Sequence, residues 1–220
     1  MAVELTGTPV AWTSGDITVP DDATAVYMFY AGWGSSLTLS SATLETVAAD
    51  AIHKLAASGD ASATGVAVWY NPTTGSNRTP ALTWSTTVGE GPVVIWAFVK
   101  GGDTSAWRDV DSAHNTSTTA VSVTIDSNST DLVLKFDQRY GHDDSTYPAT
   151  SSGWTSRQTL ANNKEYSRLS SCNSPGASTT VCDSETEYYS TIVAVSIPAA
   201  SGAGASVVPV IMRQFQMRRR

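Results

Sequence analysis

Carboxylates in pairs are the first residues here that could do chemistry. Asp109 with Asp111, and Glu185 with Glu187, are spaced i, i+2, so each pair would lie on one face of a strand. Two facing carboxyls run glycoside hydrolysis, and Asp-x-Asp also suits calcium. Two such pairs among 20 acidic residues are at chance level, and no further ligand follows at a telling spacing. The histidines, His53, His114 and His142, are scattered, and no two stand at i, i+4. A zinc site would therefore need long-range assembly. His142-Asp143-Asp144 offers a cation or polar contact, against the plainer reading of a solvated loop tip. There is no GxSxG, no P-loop and no GxGxxG. No metal, cofactor or catalytic residue is expected.

Cys172 and Cys182 flank a Pro-Gly turn and form a disulfide candidate. The alternative is two free thiols. A bond would close a loop of about ten residues, stabilise by roughly 2–3 kcal/mol and place the protein outside a reducing cytosol. Asn77, Asn115 and Asn128 begin N-x-Ser/Thr triplets, which chance supplies in a chain with 29 Ser and 29 Thr. Of seven tryptophans, Trp69, Trp84 and Trp96 fall within strand signals and read as core. Trp33 and Trp154 stand beside Gly and Ser and are better placed for contact. With Tyr140, His142 and Tyr147 they make up the candidate recognition residues.

The elements that must position these residues are strands. Leu, Glu, Lys and Gln are scarce, while Thr, Val, Tyr and Trp suit a pleated, half-buried surface. Strong strand signals lie at 25–31, 63–70, 92–99, 119–125, 131–136 and 188–197. Weaker ones lie at 3–8, 36–40, 80–85, 106–110, 155–160 and 165–169. The run at 92–99 is apolar on both faces, which suits a strand covered on both sides. Val93, Ile95, Trp96, Phe98, Val121, Val123, Leu132, Leu134, Val193 and Val195 are expected in the core. Residues 41–57 conflict with the rest: Leu44, Val47, Ala48, Ala51, Ile52 and Leu55 follow a helical period. One short helix is expected there, against a strand at 42–46 followed by an irregular crossing. Residues 138–154 form the longest stretch without periodicity, which points to function or an interface. The expected fold is all-β, an antiparallel β-sandwich of jelly-roll or Ig-like type with at most one short helix.

The chain divides into a β-sandwich domain (1–197), an Ala/Gly/Ser linker (198–206) and a C-terminal arm (207–220). Residues 1–212 carry 9 basic and 20 acidic side chains, a balance of −11, while Arg213, Arg218, Arg219 and Arg220 add +4. Arg213, Phe215, Met217, Arg218, Arg219 and Arg220 are the expected partner-binding residues. The arginine forks would pair with carboxylates, and the apolar 207–212 run would add a strand to a sheet edge. The acidic body argues against nucleic acid. No apolar run approaches the roughly 20 residues of a membrane span. No secretory start is visible.

The stretch from about 18 to 198 resembles a loose set of phage and prophage virion proteins. The pieces that carry it are the strand after Val19-Pro20, Gly65-Val-Ala-Val-Trp-Tyr-Asn-Pro-Thr-Thr-Gly75, and Pro80-Ala-Leu-Thr-Trp-Ser85. The apolar strand ending in Gly101-Gly102, the Ser127–Asp137 strand and the closing strand at 186–198 complete it. The resemblance implies an antiparallel β-sandwich serving as head decoration, head fibre or tail component, and it brings no catalytic residues. The expected protein is non-enzymatic, made in the host cytoplasm and resident in the virion. Its expected partners are a copy of itself or a capsid or tail neighbour. The alternatives are a carbohydrate- or receptor-binding module at a fibre tip, touching a host surface glycan, and a glycan-cleaving enzyme of sandwich fold.

Overall fold

The computed structural model describes residues 2–34, 36–57, 62–89, 92–115, 120–140, 147–148, 150–162, 165–184 and 190–200. Among them are eighteen strands and no helix, and every strand pairing is antiparallel. The strands stack in four layers, which is consistent with a β-sandwich covered on both outer faces.

The first inner sheet is ordered β1-β11-β4-β8-β7, with β2 pairing β11 beside β1. Its members are β1 (Glu4–Leu5), β2 (Val10–Trp12), β4 (Ala25–Gly32), β7 (Ala51–Leu55), β8 (Ala63–Tyr70) and β11 (Val93–Lys100). The second inner sheet is ordered β12-β18-β14-β16-β15. It comprises β12 (Asp109–His114), β14 (Leu132–Tyr140), β15 (Trp154–Asn162), β16 (Glu165–Cys172) and β18 (Ser190–Ile197). Tyr27, Phe29, Val68, Ile95 and Val99 of the first meet Leu134, Phe136, Leu169, Val193 and Val195 of the second in the largest core, with Phe29 stacked on Phe136 at 6.0 Å.

Because side chains alternate along a strand, the opposite faces must be covered too. Val26, Met28, Tyr30, Trp69, Trp96 and Phe98 pack outward beneath β3 (Ile17–Val19) and β5 (Leu39–Leu44). Strand β3 pairs with β9 (Gly75–Arg78), and β5 lies between β10 (Pro80–Trp84) and β6 (Val47–Ala48). On the far side, Val133, Ile192 and Ala194 lie beneath Val123, Ile125 and Cys182 of β13 (Ser122–Asp126) and β17 (Thr179–Asp183). Burying both faces is why β4, β11 and β18 read as apolar runs rather than as alternations. All ten expected core residues except Leu132, which is half-buried, are buried.

The helix expected within 41–57 is absent, and strands β5, β6 and β7 occupy that segment. Glu45 takes a left-handed backbone, φ 58°, which breaks the helical run about one turn after its start. Leu39, Ala42 and Leu44 are drawn onto the core by pairing with β10, while Val47 stays 54% exposed. Tertiary pairing overrides the local period here.

Candidate functional site

Two recognition candidates of the long loop, Tyr147 and Trp154, contact residues of the outer face of the second inner sheet. Strand β14 runs on past the Phe136 at which the sequence pattern ended it. Its alternation puts Val133, Lys135, Asp137 and Arg139 on that outer face. Lys135 and Asp137 are both fully buried, and Lys135 Nζ lies 3.2 Å from Asp137 Oδ2. The ammonium donates to Ser151 Oγ at 3.1 Å and to the Asp183 carbonyl, and sits 4.9 Å from the centre of the Trp154 ring. One side chain thus ties β14 to the 150–154 segment and to the end of β17.

Asp137 is the group under most tension. Burial pushes its carboxyl up to about 6, against the downward pull of Lys135 and Arg168. Among the described residues neither of its oxygens has a hydrogen-bond donor in good geometry, and the contact with Lys135 is an ion pair. Arg168 stands opposite Asp137 on β16 and donates to Thr150 Oγ1. Among the described residues, the buried hydroxyls of Ser170, Ser184 and Ser190 have no hydrogen-bond partner. At the rim Tyr147, 38% exposed, packs edge-on against Tyr166 at 5.8 Å.

The other expected residues go elsewhere. Trp33 is half-buried, with the backbone of Gly89 set against its ring so closely that a Cβ there would stand 2.8 Å from it. Tyr140 ends β14 opposite Glu165. His142, Glu185 and Glu187 lie outside the described residues, as do Arg213, Phe215, Met217, Arg218, Arg219 and Arg220. The disulfide candidates Cys172 and Cys182 are two thiols; Cys172 packs against the apolar cluster containing Cys182, whose thiol burial pushes up to about 12. Asp109 and Asp111 do not face each other as an acid–base pair. Asp109 accepts from the Val110 and Asp126 N–H groups, and Asp111 from the Ser112 N–H, each at 2.8 Å. Among the described residues no three His, Cys, Asp or Glu side chains cluster as metal ligands.

Sequence reasoning missed Lys135, Asp137 and Arg168. The available signal was the unbroken alternation Leu132-Val-Leu-Lys-Phe-Asp-Gln-Arg139, which places three charged residues on the face shared with Val133. Comparison with protein-family models, curated proteins and solved structures finds no match.

Proposed function

We propose that this chain is a non-enzymatic structural protein of a bacteriophage virion, a capsid decoration or accessory subunit or a tail component. It is made in the host cytoplasm and joins other virion proteins. The layered body is read as a jelly-roll or Ig-like sandwich, in keeping with the virion proteins it resembles.

The observation that carries the reading is the use made of Lys135. A buried cation is turned inward onto a carbonyl, a hydroxyl, a carboxylate and a ring. It fastens one layer to the next, as a static scaffold requires. Assembly is assigned to residues 207–220, whose arginines oppose the charge of the acidic body. Deleting 207–220 tests this. The truncated protein is expected to stay folded and soluble and to be missing from particles. Incorporation at wild-type occupancy would contradict the arm, and failure to fold would make the segment part of the domain.

A second reading, recognition of a host surface glycan or receptor, is favoured by Tyr147 and Tyr166 standing at the rim of the buried charges. It expects Tyr147→Ala to lower adsorption to host cells without changing the melting temperature.

A further inference from the structure

The strands of the first hundred residues and those of the second follow one plan. In the second half the first strand, β12, pairs with the last, β18; β18 pairs with β14; β14 pairs with β16; and β16 pairs with the strand just before it, β15. In the first half β1 and β2 pair with β11, β11 with β4, β4 with β8, and β8 with β7 just before it. The covering pairs also match. Strand β3 precedes β4 and pairs with β9, which follows β8; β13 precedes β14 and pairs with β17, which follows β16.

The inner-sheet registers can be followed in parallel from Phe29 and Phe136, with two departures: β15 is bulged between Ser156 and Gln158 and β3 between Ile17 and Val19, and the matched ladders carry no bulge. Phe29 faces Ile95 on one side and Val66 on the other, and Val66 faces His53. Phe136 faces Val193 and Leu169, and Leu169 faces Gln158. Ile95 then faces Ala11, and Val193 faces Ser112. Faint sequence echoes fall on the matched strands: Ile17-Thr-Val19 of β3 against Val123-Thr-Ile125 of β13, and Val26 and Phe29 of β4 against Val133 and Phe136 of β14.

Most contacts between the halves are reciprocal. Strand β8 packs on β18 and β16 on β11; β7 packs on β12 and β15 on β2; β15 also packs on β11, without a β7–β18 contact of that extent. The matched residues His53 and Gln158 each reach across to the other half, His53 Nε2 to Ser112 Oγ of β12 and Gln158 Nε2 to the carbonyl of Pro9 just ahead of β2, both at 2.8 Å. The matched Phe29 and Phe136 touch each other. A surface on which i meets j and j meets i is the signature of a two-fold axis.

We infer that the chain is two copies of one β unit, residues 2–102 and 103–200, closed face to face about an internal two-fold axis, so that the largest core is the self-association surface of that unit. The surface fits a second copy of the same unit, and the chain supplies it by fusion. Two clefts overlap in part under the same match. One joins Tyr70 and Asn71 to Thr104–Trp107 ahead of β12, and the other joins Asn173 to Ala2 and Val3 ahead of β1. The copies diverge where Met28 and Tyr30 of the first match Lys135 and Asp137 of the second. The first unit covers this place with the apolar sheet of β5, β6 and β10, and the second carries the charged cluster there.

A circular permutant tests the inference with every residue retained. It opens the chain between Gly102 and Asp103 and joins Arg220 to Met1, so that 201–220 becomes the connection. Ala2 and Ala200 line one cleft, so the new joint spans a short distance. Units that are equivalent can be read in either order, and the permutant is expected to be a monomer with wild-type near-ultraviolet dichroism and one cooperative urea transition. A crystal structure of the unpermuted chain gives the second readout. One rotation of about 180° should superpose the seven matched strand positions together. A permutant that fails to fold, or a crystal structure in which no single rotation superposes the outer strands along with the central ones, overturns the inference.

Discussion

Lys135 and Asp137 show what a buried ion pair does in a scaffold. Removing one partner leaves the other charge without compensation, so Lys135→Met is expected to cost about 3–5 kcal/mol. The double variant Lys135→Met with Asp137→Leu should recover much of that loss in urea denaturation, because no bare charge remains. Asp137 also gives a pH signature of known sign. Its folded pKa of about 6 lies above the ordinary 3.8, so between those values the folded state holds a proton that the unfolded chain releases. Stability contributed by this group therefore rises as pH falls from 7 to 4, on the order of 2–3 kcal/mol. His53 acts oppositely, since burial lowers its pKa and acidification then costs stability. Comparing wild type with Asp137→Asn across this range cancels His53. The difference should shift toward wild type as pH falls, and a constant difference would contradict the assignment. Asp131 is buried, which raises its pKa, but Arg108, Ser196 and the Asn128 N–H more than offset this, so its contribution is lost only at lower pH.

At the scale of elements, the outer strands of the second inner sheet close their own edges. Strand β12 has β18 on one side and no strand on the other among the described residues. Its Val110 and Ser112 N–H groups are taken by the neighbouring carboxylates. On β15 the Thr159 N–H is taken by Gln158 Oε1, and the register shifts between Ser156 and Gln158. Bulges and charged side chains are how sheets avoid pairing with strangers. Asp109→Ala with Asp111→Ala is expected to cost about 1 kcal/mol per lost hydrogen bond and to produce concentration-dependent association in sedimentation velocity. A variant monomeric at every concentration would contradict this role. The same strands show what could be read beforehand. Strands β4, β8, β11, β14 and β18 were legible because apolar runs bounded by Gly, Pro and Asn leave few alternatives. Strands β5 to β7 were not, because their apolar spacing fits a helix until β10 and β8 are present to pair with them. Tyr147 lies in the stretch read as a loop, but Trp154 opens β15 half-buried against the β13–β17 layer, and Lys135 and Asp137 were hidden by the usual expectation that charge in a strand faces water.

The whole molecule is organised around the face where the two inner sheets meet, and protection should follow that organisation. Backbone amides of β4, β11, β14 and β18, central in their sheets and buried on both faces, are expected to exchange slowest with deuterium. Those of β6 and β12, at sheet edges, should exchange fastest among the strands. Equal protection throughout would contradict a stability concentrated at the shared core.

The partition of the layers along the chain also sets an order of events during synthesis. Everything on one side of the central core is translated before anything on the other side. At roughly 5–20 residues per second, the first unit waits on the order of ten seconds for its partner. During that interval Tyr27, Phe29, Ile95 and Val99 have no layer against them. Neighbouring ribosomes on one message hold identical nascent chains in the same condition, each offering a surface that fits its own copy. The remedy is speed across residues 103–200. Slow codons placed in that stretch are expected to raise the aggregated fraction without altering the protein that does fold, whereas the same codons placed before residue 90 should have little effect.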